Sequence, residues 1–441
     1  MSRIITPTDK VGRHNGSASL SLSESGSFHR EAELSNSASP YPQFIASAES
    51  ELSSWLFALD YNRFVYGPRQ SLGLPIVERF GWHGRAIEPG FRRIRVMARQ
   101  TYVFCHAALG GNTTARQHAM TAAAALIERG VGANGQFYCR LSPDGSVLNP
   151  DPDLYDIAFG LFAMAWWYRL TGEDRALDIA ERSINNLRAS MASTSGRGYL
   201  ASLRYPQSHE QNPHMHLFEA AIFLAAFSKR PEFRALADEL FELAEAALFD
   251  ATTGTLPEAF DHEWRPVGQD GLYRVEPGHH YEWVWLLHRY GDLASQPKAF
   301  AIARTLFAFA QQHGHDEATG LVLDAVDQHG HPTATDLRIW PNAEFLKAQV
   351  VMQERYGAGE GFSETAILNN VQRIRRYFLT PQPDGPASAL PKGLWIDYLE
   401  GTSYRPKCDH VPASSLYHIF FAFAELLRHR AGHSPFSGLP W

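Results

Sequence analysis

Residues Arg274-Val275-Glu276-Pro277-Gly278-His279-His280-Tyr281-Glu282-Trp283 form the densest run of proton-moving groups in this 441-residue chain. Pro277 and Gly278 mark a helix start after a loop. On such a helix His279, Glu282 and Trp283 stand at i, i+3 and i+4 on one face, while His280 points about 100° away. An imidazole beside a carboxylate is held in one tautomer and serves as a general base near neutrality, with Trp283 a stacking wall. The same spacing also describes a capped core helix, so it does not decide the matter alone.

A second cluster, Asn212-Pro213-His214-Met215-His216-Leu217-Phe218-Glu219, places Asn212, His216 and Glu219 on one helix face, opposite a core stripe of Leu217, Ala220, Ala221 and Leu224. An amide and an imidazole facing a cavity suit sugar hydroxyls. His410 stands alone before the last apolar helix, and Arg99 interrupts an apolar helix with Tyr102 on its face. Trp340 and Glu344 open another helix, the glutamate where the helix dipole favours it, and Tyr155 and Asp156 occupy a further first turn. A metal site would be assembled from His279, Glu282, His216 and His410, yet there is no HExxH, no CxxC and no close-packed histidine set. The expectation is a site without metal or cofactor. GxSxG, the phosphate-binding GxxxxGK[ST] and a strand-linked GxGxxG are also absent.

The elements that must position these groups are helical. Apolar residues recur at 3.6-residue spacing over 46–60, 92–109, 116–130, 154–168, 174–187, 214–227, 232–248, 278–290, 297–313, 337–356, 364–378 and 412–429. Short polar turns such as 170–174 and 228–231 join some pairs into hairpins. Links 132–152, 196–211, 254–276, 315–336 and 381–403 are longer and carry Gly, Pro and alternating residues, so they are expected to hold short strands. About twelve helices with alternating short and long links imply an all-α (α/α)6 barrel over residues 45–441, with the site built on the long loops. No repeat is strong enough for a solenoid. Residues 1–44 contain ten serines and no apolar periodicity and read as a disordered tail.

Composition bounds the function. Forty basic against 47 acidic residues give a net charge of −7, which suggests neither a nucleic-acid nor an anionic-membrane partner. The longest uncharged apolar run, 157–168, is too short to cross a bilayer and reads as a buried helix. Three scattered cysteines, Cys105, Cys139 and Cys408, exclude a disulfide framework, and the chain start lacks the pattern of a secretory signal, so a reducing cytoplasm is expected. Twenty histidines and 54 aromatic residues suit a carbohydrate pocket, since aromatic faces stack on sugar C–H surfaces. Nothing in the composition decides between monomer and homo-oligomer.

Taken in order, the motifs Ala98-Arg99-Gln100, Leu154-Tyr155-Asp156, Asn212…His216…Glu219, Glu276-Pro277-Gly278-His279…Glu282-Trp283, Trp340-Pro341…Glu344 and His410-Val411-Pro412 resemble the N-acylglucosamine 2-epimerase superfamily of sugar epimerases and aldose–ketose isomerases. The resemblance spans roughly residues 46–430, with no counterpart for the serine-rich tail. It implies an (α/α)6 barrel, a free monosaccharide as partner, and two histidines transferring protons without metal, placed by the match on His279 and His410. It further implies that Arg99 contacts the C1/C2 oxygens and that Glu282 is the carboxylate beside the first histidine. Asn212 with His216 would bind sugar, Trp340 would wall the pocket, and Tyr155, Glu219 and Glu344 would complete the binding set. The expected reaction is aldose–ketose isomerisation of a mannose-like sugar through an enediolate, with 2-epimerisation as the alternative. A glycoside hydrolase using Glu282 and Glu344, and a non-catalytic sugar-binding module, are the rivals.

Overall fold

The computed structural model describes residues 76–204, 208–380, 386–391 and 393–436. The serine-rich segment 1–44 and the helix read over 46–60 lie outside the described residues.

Eleven α-helices occur among the described residues: α1 (Ile94–Leu109), α2 (Thr113–Arg129), α3 (Leu154–Thr171), α4 (Asp174–Ser190), α5 (Gln211–Phe227), α6 (Pro231–Leu243), α7 (Pro277–Ala294), α8 (Pro297–His313), α9 (Ile339–Tyr356), α10 (Glu364–Ile374) and α11 (Leu416–Arg430). The odd-numbered helices form an inner ring in which each packs on the next and α11 returns to α1. Each even-numbered helix lies outside, against the odd-numbered helix before it. This is the (α/α) barrel that the alternation of short and long links implies.

Sequence separates the two rings. Outer helix α4 buries Ala176, Leu177, Ile179, Ala180, Ser183, Ile184 and Leu187, a one-sided stripe with charge on its other face. Inner helix α7 is buried continuously from Pro277 to Gly291, and α3 buries nearly everything from Leu154 to Trp167, because neighbours cover them on every side. Boundaries follow local chemistry. The Asp153 carboxylate caps α3 by accepting from the Tyr155 and Asp156 amides, Gly172 ends it at φ 73°, and Pro231, Pro277 and Pro297 each open a helix.

The long links carry short strands, as their composition implies. β3 (Arg92–Arg93) pairs with β4 (Arg140–Leu141), which pairs with β5 (Val147–Asn149). β6 (Ser208–Glu210) pairs with β7 (Ala259–Asp261), and β8 (Gly268–Gln269) and β9 (Leu272–Val275) continue through β10 (Leu323–Asp327) and β11 (Pro332–Arg338) to β12 (Tyr398–Leu399). β13 (Val411–Pro412) pairs with β1 (Arg79–Phe80), which also pairs with β2 (Ala86–Ile87). Strands β3, β6, β9, β11 and β13 lead into inner helices, so these pairings staple one rim of the ring. The final helix begins at Leu416 rather than Pro412, because Val411–Pro412 is strand and Ala413–Ser415 a single 3₁₀ turn.

Inside the ring, Tyr102, Phe162, Trp166, Phe223, Trp285 and Phe421 pack ring against ring. Away from the stapled rim, Glu425 on α11 accepts from the Trp285 indole (2.9 Å) and pairs with Arg289 (2.8 Å) and Arg428 (2.9 Å), while Glu354 on α9 takes the second bond of Arg289 (2.8 Å). The clamp ties α7, α9 and α11. Removing one partner strands buried charge, so Glu425→Ala is expected to cost roughly 3–5 kcal/mol in denaturant unfolding. No helix among the described residues is long and apolar enough to cross a membrane.

Candidate active site

A cavity of about 460 Å³ opens at the stapled rim, and every inner helix lines it from its first two turns. Arg99 comes from α1, Tyr155 from α3, Asn212 and His216 from α5, His279 and Glu282 from α7, Trp340 from α9, and His418 from α11 with Ser414 and Ser415 just before it. Glu210, Glu258, Glu276, Arg338 and Asp397 from the strand-bearing links form the remaining polar wall. Six parallel helix starts therefore aim their positive dipole ends at one volume.

His279 donates from Nδ1 to Glu258 (2.9 Å), with Glu276 3.7 Å away. Burial alone would lower its pKa, but the two carboxylates overcome that and raise it to about 9, so the ring is an imidazolium at neutral pH. Its carboxylate neighbours are thus Glu258 and Glu276, correcting the expectation that Glu282 fills this place. Glu282 instead stands 3.6 Å from His216, fully buried, with neither oxygen in a hydrogen bond among the described residues. Burial and the nearby Glu344 charge push its carboxyl far above the usual range. Trp283, the expected stacking wall, is core: its indole donates to Gln211 (2.7 Å) and its ring packs on Phe218. His280 faces away, accepting from the Leu256 amide (3.0 Å).

The second histidine of the cavity is His418, which sequence reasoning did not single out. Its Nδ1 donates to Glu344 (2.7 Å), and burial lowers its pKa to about 4 against the pull of that carboxylate. It is therefore neutral, with the lone pair on Nε2. His410 is not among the lining residues. It pairs with Asp409 (2.6 Å) on the rim because Val411 and Pro412 join β1, and the turn that follows carries the chain inward to His418. Trp340 is in ring contact with both cavity histidines, at 4.9 Å from His279 and 5.5 Å from His418. A Cβ at residue 278 would meet the Trp340 ring at 2.8 Å, so Gly278 is what lets this indole lie against the first turn of α7.

Arg99 donates to the Tyr155 hydroxyl (2.6 Å) and the Ser414 carbonyl (3.3 Å) and stacks over Phe159 (4.1 Å), and it forms no ion pair among the described residues. Its cation is left to the cavity. His216 is held below its usual pKa first by burial and then by Arg99 and the other cations of the site, so it is neutral. Glu219 and Glu344 do not line the cavity but lie beneath it. Glu219 accepts from Tyr417 (2.6 Å), and Glu344 is 2.8 Å from the buried Lys347 ammonium. Asp156, beside Tyr155, pairs with Arg95 (2.7 Å).

Ligand-type atoms of His216, Glu219 and Glu282, and of Glu282, Glu344 and His418, lie within 4.8 Å of one another. Lys347 and Arg99 already place two fixed positive charges against these groups. The arrangement suits proton transfer: a neutral imidazole, an imidazolium and a guanidinium converge on a buried cavity.

Residues 77–422 match the model of the N-acylglucosamine 2-epimerase family. The chain belongs to that family. A protein of Rhizobium meliloti (strain 1021) named mannose-6-phosphate isomerase is 32% identical over 355 residues, 76% of this chain and 85% of the relative. A cellobiose 2-epimerase of Bacteroides fragilis is 24% identical over 48% of this chain and 57% of its own length. The crystal structure of a D-mannose isomerase superposes with a TM-score of 0.75 at 19% identity, covering 88% of this chain and 99% of that one, and shares its fold. The protein is accordingly an enzyme of a sugar isomerase and epimerase family.

Proposed function

We propose that this protein is a sugar 2-epimerase acting on an unphosphorylated aldose. The observation that carries the reading is the pair His279 and His418, both in contact with Trp340 and of opposite protonation. After ring opening, Nε2 of His418 takes the proton from C2, and the bonding electrons move onto the carbonyl oxygen to give an enediolate. Arg99 and the converging helix starts stabilise that oxyanion. The His279 imidazolium returns a proton to the opposite face of C2, inverting it. The enzyme is left with His418 charged and His279 neutral, which is the starting state for the reverse direction.

The lining carries Glu210, Glu258, Glu276, Glu282 and Asp397 against Arg99 and Arg338, and Arg338 is paired with Asp324 (2.5 Å). Of the two lining arginines only Arg99 is without an ion pair among the described residues, and a single guanidinium set among carboxylates supports a neutral substrate over a sugar phosphate. Aldose–ketose isomerisation is the second reading, favoured by the relative named mannose-6-phosphate isomerase. It uses the same enediolate and returns the proton to C1, which needs one base only. The hydrolase rival is disfavoured because Glu344 lies beneath the cavity on Lys347, so Glu282 and Glu344 do not face each other across it.

The discriminating experiment incubates the purified protein with D-mannose, N-acetylmannosamine, cellobiose and mannose 6-phosphate and identifies products by NMR. A C2 epimer is expected from one of the free sugars. A ketose alone would move the assignment to the second reading, turnover of the phosphate alone would overturn the neutral substrate, and glycosidic cleavage would overturn both. The pH profile follows from the same pair. Turnover needs His418 neutral and His279 charged, so activity is expected to rise as pH passes about 4 and to fall as it passes about 9.

A further inference from the structure

Beneath the cavity floor lies a cation for which the proposed chemistry has so far no use. Lys347, on the third turn of α9, is fully buried, and its Nζ stands 2.8 Å from Glu344 Oε2 and over the rings of Trp285 (4.6 Å) and Phe421 (4.4 Å). The other carboxylate oxygen, Glu344 Oε1, accepts from His418 Nδ1 at 2.7 Å. One carboxylate therefore bridges a buried ammonium and the imidazole that turns its other nitrogen toward the cavity. Holding an ammonium in such a place carries a large desolvation cost unless its partners return it, and packing alone would be served as well by a methionine.

We infer that Lys347 is a positioning residue that acts through Glu344: it keeps this carboxylate ionised, which fixes the proton of His418 on Nδ1 and leaves Nε2 as the base. The inference rests on the proposed role of His418. The groups facing Lys347 and its partners come from every inner helix. They are Glu344 on α9, Glu219 and His216 on α5, Glu282 and His279 on α7, Tyr417 and His418 on α11, Arg99 and Tyr102 on α1, and Tyr155 on α3. Three carboxylates in so small a buried volume cannot all ionise on one ammonium. Glu219 and Glu282 are raised, chiefly by burial, whereas Glu344 is lowered because Lys347 and His418 outweigh its burial. The charge of Lys347 is thus directed to the one carboxylate that touches His418.

The sign of the effect is fixed by Coulomb's law. Without the ammonium, Glu344 binds its proton more tightly and His418 loses a repelling charge, so the pair takes up a proton at higher pH. Lys347→Met, close in volume and uncharged, is expected to move the acid limb of kcat upward by about 1–3 pH units with little change in KM. In a Glu344→Gln background the same substitution is expected to leave only the smaller direct repulsion between Lys347 and His418, so most of the shift is lost, which is the signature of action through that carboxylate. A fall in melting temperature with the acid limb unmoved, or a full Lys347→Met shift persisting in the Glu344→Gln protein, would overturn the inference.

A second measurement needs neither turnover nor the variant. In the ¹⁵N spectrum of histidine-labelled wild-type protein, His418 is expected as the neutral Nδ1–H tautomer between pH 5 and pH 8. An imidazolium or an Nε2–H tautomer there would contradict the role given to Lys347 whatever reaction the enzyme runs. Loss of C2 chemistry with the tautomer intact would instead fault only the proposed function.

Discussion

Replacing His418 by alanine is expected to lower kcat roughly 10²- to 10⁴-fold, the usual contribution of a positioned general base, while His410→Ala leaves turnover near the wild-type value. The contrast follows from placement. His418 lines the cavity with Nδ1 committed to Glu344, whereas His410 is on the rim beside Asp409. His279→Ala is expected to fall as far as His418→Ala, and the double variant little further, because two groups that act in one reaction at C2 are not additive. Steady-state kinetics of the four proteins decide the point, and a crippled His410→Ala with active His418→Ala would reverse the assignment.

Arg99→Met is expected to lower kcat about 10²- to 10³-fold, the range seen when one donor to a developing oxyanion is removed. Its guanidinium is tied to Tyr155 and Ser414 and stacked on Phe159, so it is oriented before any sugar arrives and does not reorganise as charge develops. Arg99→Lys is expected to recover little of this, because an ammonium can reproduce neither the two-pronged anchoring nor the stacking. A rise in KM with kcat intact would show that Arg99 binds the ground state and transition state equally. Such a result would remove it from the catalytic step.

The helices were legible because two kinds of pattern survive in the chain. Outer helices such as α4 keep a one-sided stripe, and inner helices such as α3 announce themselves as long uncharged runs that only burial tolerates. The small shifts at Pro412 arise from pairing with β1, over 300 residues earlier, which no local rule can see. The site was partly legible for a related reason. Arg99, Tyr155, Asn212, His216, His279, Glu282 and Trp340 are polar or loop-junction groups near the starts of otherwise apolar helices, and the structure gathers all seven on one cavity.

His418 obeys the same rule, breaking the apolar run from Leu416 to Phe421, and applying the rule evenly would have found it. The isolated His410 precedes the helix in sequence, yet a strand and a turn still separate it from the inward face. Glu258 was hidden more deeply. It lies in the long link beside β7, and only the β6–β7 pairing and the start of α7 bring it to His279. Glu219, Glu344 and Lys347 share faces with lining residues but lie deeper along their helices. Spacing places them on the right side without saying that they form the floor.

The central claim is that His279 and His418 exchange the C2 proton of a free aldose, and isotope exchange tests it most directly. Wild-type protein is incubated in D₂O with D-mannose, N-acetylmannosamine or cellobiose, and the C2 position of recovered substrate and product is followed by NMR. Deuterium is predicted at C2 of the epimeric product of at least one of these sugars, abolished in both His279→Ala and His418→Ala. A sugar that binds but keeps its C2 hydrogen through prolonged incubation would contradict the account.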